Sequence, residues 1–181
     1  MPRFCSRCGS PIGEPAPVVC RACGASHWAN ARPCAAALVV DGGKLLLTRR
    51  ALEPWLGLWC APSGFCNGPE HPIAAAVREA YEEAGLRIRT TGYLGTWIDE
   101  YAPATEAGDD SEHVAVAYFH AVPTGEPAVA HDPGEVAEIG WFAPDRLPRE
   151  LAPPVNGSRI FAAWRAAYEA GDMESSLRDG F

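Results

Sequence analysis

The sequence lacks any long hydrophobic run: its longest uncharged apolar stretch, Cys34 to Val40, is far too short to cross a bilayer. The opening residues, Met1-Pro2-Arg3-Phe4-Cys5, have neither the apolar region nor the small-residue cleavage site of a secretory leader, which predicts a cytoplasmic protein with no membrane partner. Basic charge is also in deficit. The formal net charge is -8, which argues against a duplex nucleic-acid binder, because such a surface must displace counterions from phosphates. Internal repeats and low-complexity tracts are missing as well. What is present is ordinary globular composition, 48% hydrophobic and 21% charged over 181 residues, suited to one well-buried domain and a small appendage.

The charge is unevenly placed. Residues before Cys34 carry Arg3, Arg7, Arg21 and Arg32 against Glu14 alone, so nearly all the acid lies beyond them. An acidic protein can still handle anionic phosphates when divalent cations mediate, since the ion is then the largest local charge.

Four of the seven cysteines are paired as Cys5-x-x-Cys8 and Cys20-x-x-Cys23, with Gly9 and Gly24 directly after each pair. In a cytosolic chain this spacing reads as metal binding rather than disulfides. From Phe4 to about Asn30 there is almost no hydrophobic periodicity, so the segment cannot bury a core, and tetrahedral thiolate ligation of Zn²⁺ would fold it. Four thiolates leave no open position, which makes the expected zinc structural. Residues 1–30 are therefore expected to form a zinc-ribbon module and residues 31–181 the main domain. His27 reads as ordinary surface, and Cys34, Cys60 and Cys66 as small hydrophobes.

Cys34 to Val40 reads as a strand, Asp41-Gly42-Gly43 as a tight turn and Lys44 to Arg49 as the returning strand. A Trp- and Gly-rich loop follows, from Glu53 to Gly68. Pro72 to Ala84 reads as a helix, with Pro72 suited to its first turn and Gly85 to the left-handed position beyond its end. Ile73, Val77, Ala80 and Ala84 fall on one stripe, and Glu79, Glu82 and Glu83 gather on another face. Further strands are expected at Tyr93 to Ile98, Val114 to Ala121 and Glu138 to Phe142, with a closing helix from Ser158 to Ala170. Ala102 to His113 is an acidic loop of the kind that borders a site.

Three carboxylates at i, i+3 and i+4 lie within reach of one point. Like charges so close raise one another's pKa unless a cation sits among them, and a hard ion such as Mg²⁺ resolves the conflict with oxygen ligands. A solvated acidic face would need none of the surrounding residues. Here Gly64, Glu70, Arg78, Glu79, Glu82, Glu83 and Gly85 stand in the pattern G-x5-E-x7-R-E-U-x-E-E-x-G-U, which resembles the Nudix box at all of its fixed positions. The resemblance implies an α/β fold, a Nudix-type α/β/α sandwich with a mixed sheet, and a pyrophosphohydrolase activity. It further implies that Glu79, Glu82 and Glu83 bind Mg²⁺ or Mn²⁺, that the Ser63 backbone carbonyl completes the coordination, and that Arg78 orients the carboxylates. Glu70 is expected to be a structural partner of the loop and helix. Ala80 and Ser63 depart from the family's usual larger aliphatic and glycine.

The resemblance also implies an additional acid outside the box, from a loop that varies between branches, that binds a further metal or takes a proton from the attacking water. Glu135, a few residues before Trp141-Phe142, resembles the placement in the zinc-bearing branch and is favoured over Glu112 in the acidic loop. A cysteine module ahead of such a domain is similar to the arrangement in NADH pyrophosphatases and in relatives acting on ADP-ribose-like substrates. The NADH branch carries a Trp-Pro-Phe-Pro type motif and a further N-terminal domain that this sequence does not show. The leading expectation is thus hydrolysis of a nucleoside diphosphate linked to another group, ADP-ribose-like or a nucleotide sugar. NADH or NAD-cap hydrolysis, oxidised-nucleotide hydrolysis and a non-catalytic nucleotide sensor are the alternatives, and a homodimer is a common expectation of the family. Trp55, Trp59 and Tyr101 could stack on a base or pack in loops and core.

Overall fold

The computed structural model describes residues 3–14, 16–101, 113–125 and 133–173. Its first unit is a pair of matched turns. Gly9 N–H donates to Cys5 O at 2.9 Å and Gly24 N–H to Cys20 O at 2.8 Å, and both glycines have φ of 72°, the left-handed conformation that glycine adopts without steric cost. A two-residue hairpin, β1 (Val18–Val19) against β2 (Ser26–His27), frames the second turn.

The remainder is a seven-stranded mixed sheet with a helix on each face. Its first strands are β3 (Arg32–Asp41), β4 (Lys44–Arg50), β5 (Trp59–Cys60) and β6 (Ser63–Phe65). Helix α1 (Pro72–Ala84) follows, then β7 (Ile88–Glu100), β8 (His113–Pro123), β9 (Val136–Phe142) and helix α2 (Gly157–Ala170). The order is β5-β4-β3-β8-β7, with β6 pairing β3 and β9 pairing β4. β3 and β8 run parallel, and β7 and β8 antiparallel. The short β5 and β6 interrupt what the sequence shows only as a Trp- and Gly-rich loop.

β3 explains its own continuous apolar sequence. Cys34, Ala36 and Leu38 face α2 with Ile160, Phe161 and Trp164, whereas Ala35, Ala37 and Val39 face α1 with Ala75, Ala76 and Ala80. A strand covered on both faces loses the apolar-polar alternation of a half-exposed one. Alanine on both sides of the α1 contact lets helix and sheet approach closely, so the small Ala80 is fully buried. The buried face of α1 is Ala75, Ala76, Glu79, Ala80 and Glu83; Ile73, Val77 and Ala84 are only partly buried at its margins. The expected separation of apolar and acidic faces is corrected accordingly: two of the three carboxylates lie on the packed side.

Candidate active site

The carboxylates are carried by the last turns of α1, whose ends are fixed locally. His71 accepts from Ile73 N–H at the N-terminus, and Gly85, at φ of 66°, closes the C-terminus with its N–H on the last carbonyls. Glu79 and Glu83 are buried and Glu82 is exposed. Burial is the main force on the two inner groups: it pushes the Glu79 carboxyl up and raises Glu83 to about 8. The Thr48 hydroxyl, donating to Glu83 Oε2 at 3.0 Å, and the Ser63 backbone N–H oppose that shift, while the neighbouring Glu79 adds to it.

Arg78 organises the acids. Its Nε and Nη2 donate to the two oxygens of Glu70, each at 2.9 Å; Nη1 reaches Glu79 at 2.5 Å and Glu82 at 2.7 Å; Nη2 also donates to the Phe65 carbonyl at 3.0 Å. Glu70 Oε2 in turn accepts from Asn67 N–H at 2.9 Å, and the Arg78 fork holds its carboxyl down near 2. A planar guanidinium can make these contacts at once; a point-charge ammonium cannot. Glu70 is a structural partner, as its sequence position suggests.

Gly64 is required at its place by close approach. A Cβ there would lie 2.0 Å from Glu79 Oε1 and 2.3 Å from Cδ, so the carboxylate rests directly on the β6 backbone. Ser63, in place of the family's usual glycine, sits in extended β6 and needs no left-handed conformation. One cleft is lined by Ser63, Gly64, Arg78, Glu79, Glu83 and Glu135, and Glu135 is close enough to raise the Glu79 carboxyl. Glu135 is anchored through its carbonyl, which accepts from Ala51 N–H at 2.8 Å. Glu112 lies outside the described residues. Buried, crowded carboxylates against a backbone cradle are a donor set for a hard divalent cation.

Thr48 and Arg50 also line this cleft, and neither stands out in the sequence. Their only signal is placement at the C-terminal end of a strand neighbouring β3. Trp55 and Tyr101 meet edge to face, with ring centroids 5.6 Å apart beside the cleft. Trp59 instead packs on Phe142 at 4.9 Å.

At the other site, the ligand atoms of Cys5, Cys8, Cys20 and Cys23 all lie within 4.8 Å of one another. The Ser10 side chain and backbone hydrogen-bond Cys8 and lower its thiol, while the neighbouring Cys8, Cys5 and Cys20 sulfurs raise that of Cys23, so crowding opposes a second thiolate where no cation sits among them. His27 is not simple surface, since its Nε2 lies 3.3 Å from Cys5 Sγ. Four convergent sulfurs with a hydrogen-bonding imidazole fit Zn²⁺.

The description NUDIX domain matches residues 30–164. The chain belongs to the NUDIX family. It is 32% identical over 151 residues to the "NAD-capped RNA hydrolase NudC" of Stutzerimonas stutzeri, covering 81% of this chain and 50% of that protein. Human "NAD(P)H pyrophosphatase NUDT13, mitochondrial" is 27% identical, over 82% of this chain and 41% of its own length. The chain thus spans about half the length of the curated relatives it matches. Among solved structures, a MutT NUDIX hydrolase from Burkholderia pseudomallei superposes with a TM-score of 0.62 at 27% identity, covering 74% of this chain and 98% of that one. The mixed sheet flanked by α1 and α2 is the NUDIX fold. No helix among the described residues is long and apolar enough to cross a membrane.

Proposed function

We propose that this NUDIX protein hydrolyses the diphosphate linkage of a nucleoside diphosphate joined to another group, with ADP-ribose-like molecules or nucleotide sugars as the leading substrates. The observation that carries the reading is the cleft in which the Glu79 and Glu83 carboxyls are buried and pushed up by that burial, although the Arg78 fork reaches Glu79 and Arg50 acts on Glu83. Glu79, Glu82, Glu83 and the Ser63 carbonyl would hold Mg²⁺ or Mn²⁺, which when bound neutralises the diphosphate and acidifies a coordinated water. Arg78 keeps the carboxylates in register, Gly64 gives Glu79 its seat, and Thr48 fixes one Glu83 oxygen. Glu135, lining the same cleft, is the group we assign to take a proton from the attacking water. The reaction depends mostly on positioning and electrostatics, which suits a site with few specialised side chains.

Residues 1–30 are taken as a separate zinc-nucleated unit, with Cys5, Cys8, Cys20 and Cys23 as ligands and His27 hydrogen-bonded to Cys5, and residues 31–181 as the hydrolase domain. A second reading, hydrolysis of NADH or of NAD-capped RNA, is favoured by the 32% identity to a NudC protein. A substrate panel with Mg²⁺ or Mn²⁺ in ¹⁸O-labelled water tests both. ADP-ribose turnover exceeding that of NADH supports the first reading, NADH or capped RNA exceeding ADP-ribose supports the second, and no diphosphate cleavage at all rejects both.

A further inference from the structure

The strand that seats Glu79 is held by little backbone. β6 is three residues long and pairs only with β3 among the described strands, with Cys34 opposite Phe65, Ala35 opposite Gly64 and Ala36 opposite Ser63. One further bond, from Cys66 N–H to the Pro33 carbonyl at 3.0 Å, continues the ladder. This short strand nevertheless carries three parts of the proposed metal site. They are the Ser63 carbonyl, the Gly64 backbone on which Glu79 rests, and the Phe65 carbonyl that accepts from Arg78. A small displacement of β6 therefore moves several groups of the site at once.

The Phe65 ring is secured by contacts outside that ladder. Successive side chains of a strand point to opposite faces, so Phe65 packs with the core on the α2 side while Glu79 presses on Gly64 from the α1 side. Arg32 stands two residues before Cys34 on β3, which places it diagonal to Phe65 on the same face of the antiparallel pair, within reach of a long side chain. Its guanidinium carbon lies over the Phe65 ring, 3.7 Å from the centroid. Tyr101 meets the same ring edge to face, with centroids 5.2 Å apart. Arg32 is itself exposed, so burial of the arginine does not explain the stacking; the ring attracts the cation.

We propose that Arg32 is a positioning residue of the metal site. By capping the Phe65 ring it fixes β6, and through β6 it fixes the Ser63 carbonyl and the seat of Glu79 on the other side of the sheet. The inference rests on the hydrolase reading in taking the cleft as a divalent-cation site, and adds to it a residue that lies on another strand and touches neither metal nor substrate. Charge and position predict opposite signs here. Removing a cation from the wall of an acidic cleft should, by Coulomb attraction alone, tighten the binding of a divalent ion. Loosening the cradle should weaken it.

Mn²⁺ binding to the full zinc-loaded chain, followed by the paramagnetic resonance of the free ion, reads that sign without any substrate. Loss of the binding in Glu83→Gln assigns it to the cleft. Arg32→Gln is expected to weaken Mn²⁺ about two- to fivefold, the range of an exposed cation on an aromatic face, with an unchanged circular dichroism spectrum. Arg32→Lys keeps a cation for the ring and is expected to restore most of the affinity. In Phe65→Leu no ring remains to cap, and adding Arg32→Gln is expected to weaken binding no further. Affinity in Arg32→Gln equal to or above that of the wild type overturns the proposal. So do equal losses in the Gln and Lys proteins, or an undiminished loss in the Phe65→Leu background. Diphosphate cleavage is measured separately: cleavage by a protein whose Mn²⁺ affinity ignores Arg32 removes this role and leaves the hydrolase reading, and Mn²⁺ binding that responds to Arg32 without any cleavage does the reverse. A wild type that binds no Mn²⁺ at the cleft overturns both.

Discussion

Replacing Glu83 by Gln should stabilise the metal-free protein at alkaline pH while abolishing the chemistry proposed for it. Burial raises the Glu83 carboxyl from its ordinary 4.5 to about 8, so the folded state holds a proton that the unfolded chain has already released. Stability from that proton is complete below the unfolded pKa and is lost as pH rises through the folded one. At 1.36 kcal/mol per pKa unit the whole effect has a ceiling of about 5 kcal/mol, of which about 3 kcal/mol falls between pH 6 and pH 9. Asp99 is shifted in the same direction and gives both proteins a common background slope, whereas Glu79, also pushed up, acts on Glu83 directly, so the difference reads the pair. Urea unfolding at pH 6 and pH 9, with zinc retained and no other divalent cation added, isolates that pair. The wild type is expected to lose more stability than Glu83→Gln by about 2 to 3 kcal/mol, and Mg²⁺ at pH 9 to recover that loss in the wild type only. Parallel pH dependences in the two proteins would refute the claim that desolvation of Glu83 outweighs the contacts from Thr48, Ser63 and Arg50 that oppose it.

Gly64→Ala places a methyl within 2.0 Å of a Glu79 oxygen; the carboxylate must move, and turnover should fall by about 10²-fold with the thermal transition almost unchanged. Arg78→Lys keeps the charge but loses the fork to Glu70, Glu79 and Glu82, and should weaken Mg²⁺ affinity by about 10- to 100-fold, read by titrating activity against Mg²⁺. Elemental analysis of protein purified without chelators should find one zinc per chain, and its removal should collapse amide dispersion in residues 3–30 while the rest of the spectrum persists. Glu135→Gln should lower turnover by about 10² to 10⁴ and Glu112→Gln should change it little; the opposite ranking would show that the proton acceptor lies in the other loop.

The regular elements were largely legible because local chemistry and tertiary packing agree in them. Pro72 and Gly85 bound α1 at the expected residues, and Asp41-Gly42-Gly43 returns β3 into β4 through two glycines at positive φ. β7 is longer than its apolar core suggests. It extends from Ile88 to Glu100, because pairing with β8 carries alternating polar residues such as Thr90 and Thr96 into the sheet. The β5 and β6 segments are two and three residues long and are strands only through their partners, so no periodicity could reveal them. The box residues were legible through spacing and the orienting role of Arg78 through the resemblance, whereas its two-pronged bond to Glu70 appears only in the fold. The burial of Glu79 and Glu83 was not, because it depends on how deeply α1 settles onto an alanine-faced sheet. Thr48 and Arg50 carry no motif, and only the fold brings them to the cleft. His27 read as ordinary surface until the hairpin placed it against Cys5.

The central claim is that the buried carboxylates of α1 carry diphosphate hydrolysis. Its most direct test is turnover of ADP-ribose by the wild type and by Glu83→Gln, side by side in Mg²⁺, with circular dichroism confirming that both are folded. The wild type is expected to release AMP and ribose 5-phosphate only when the divalent ion is present, and the Glu83→Gln protein to be slower by orders of magnitude. Comparable turnover in the two folded proteins would contradict it.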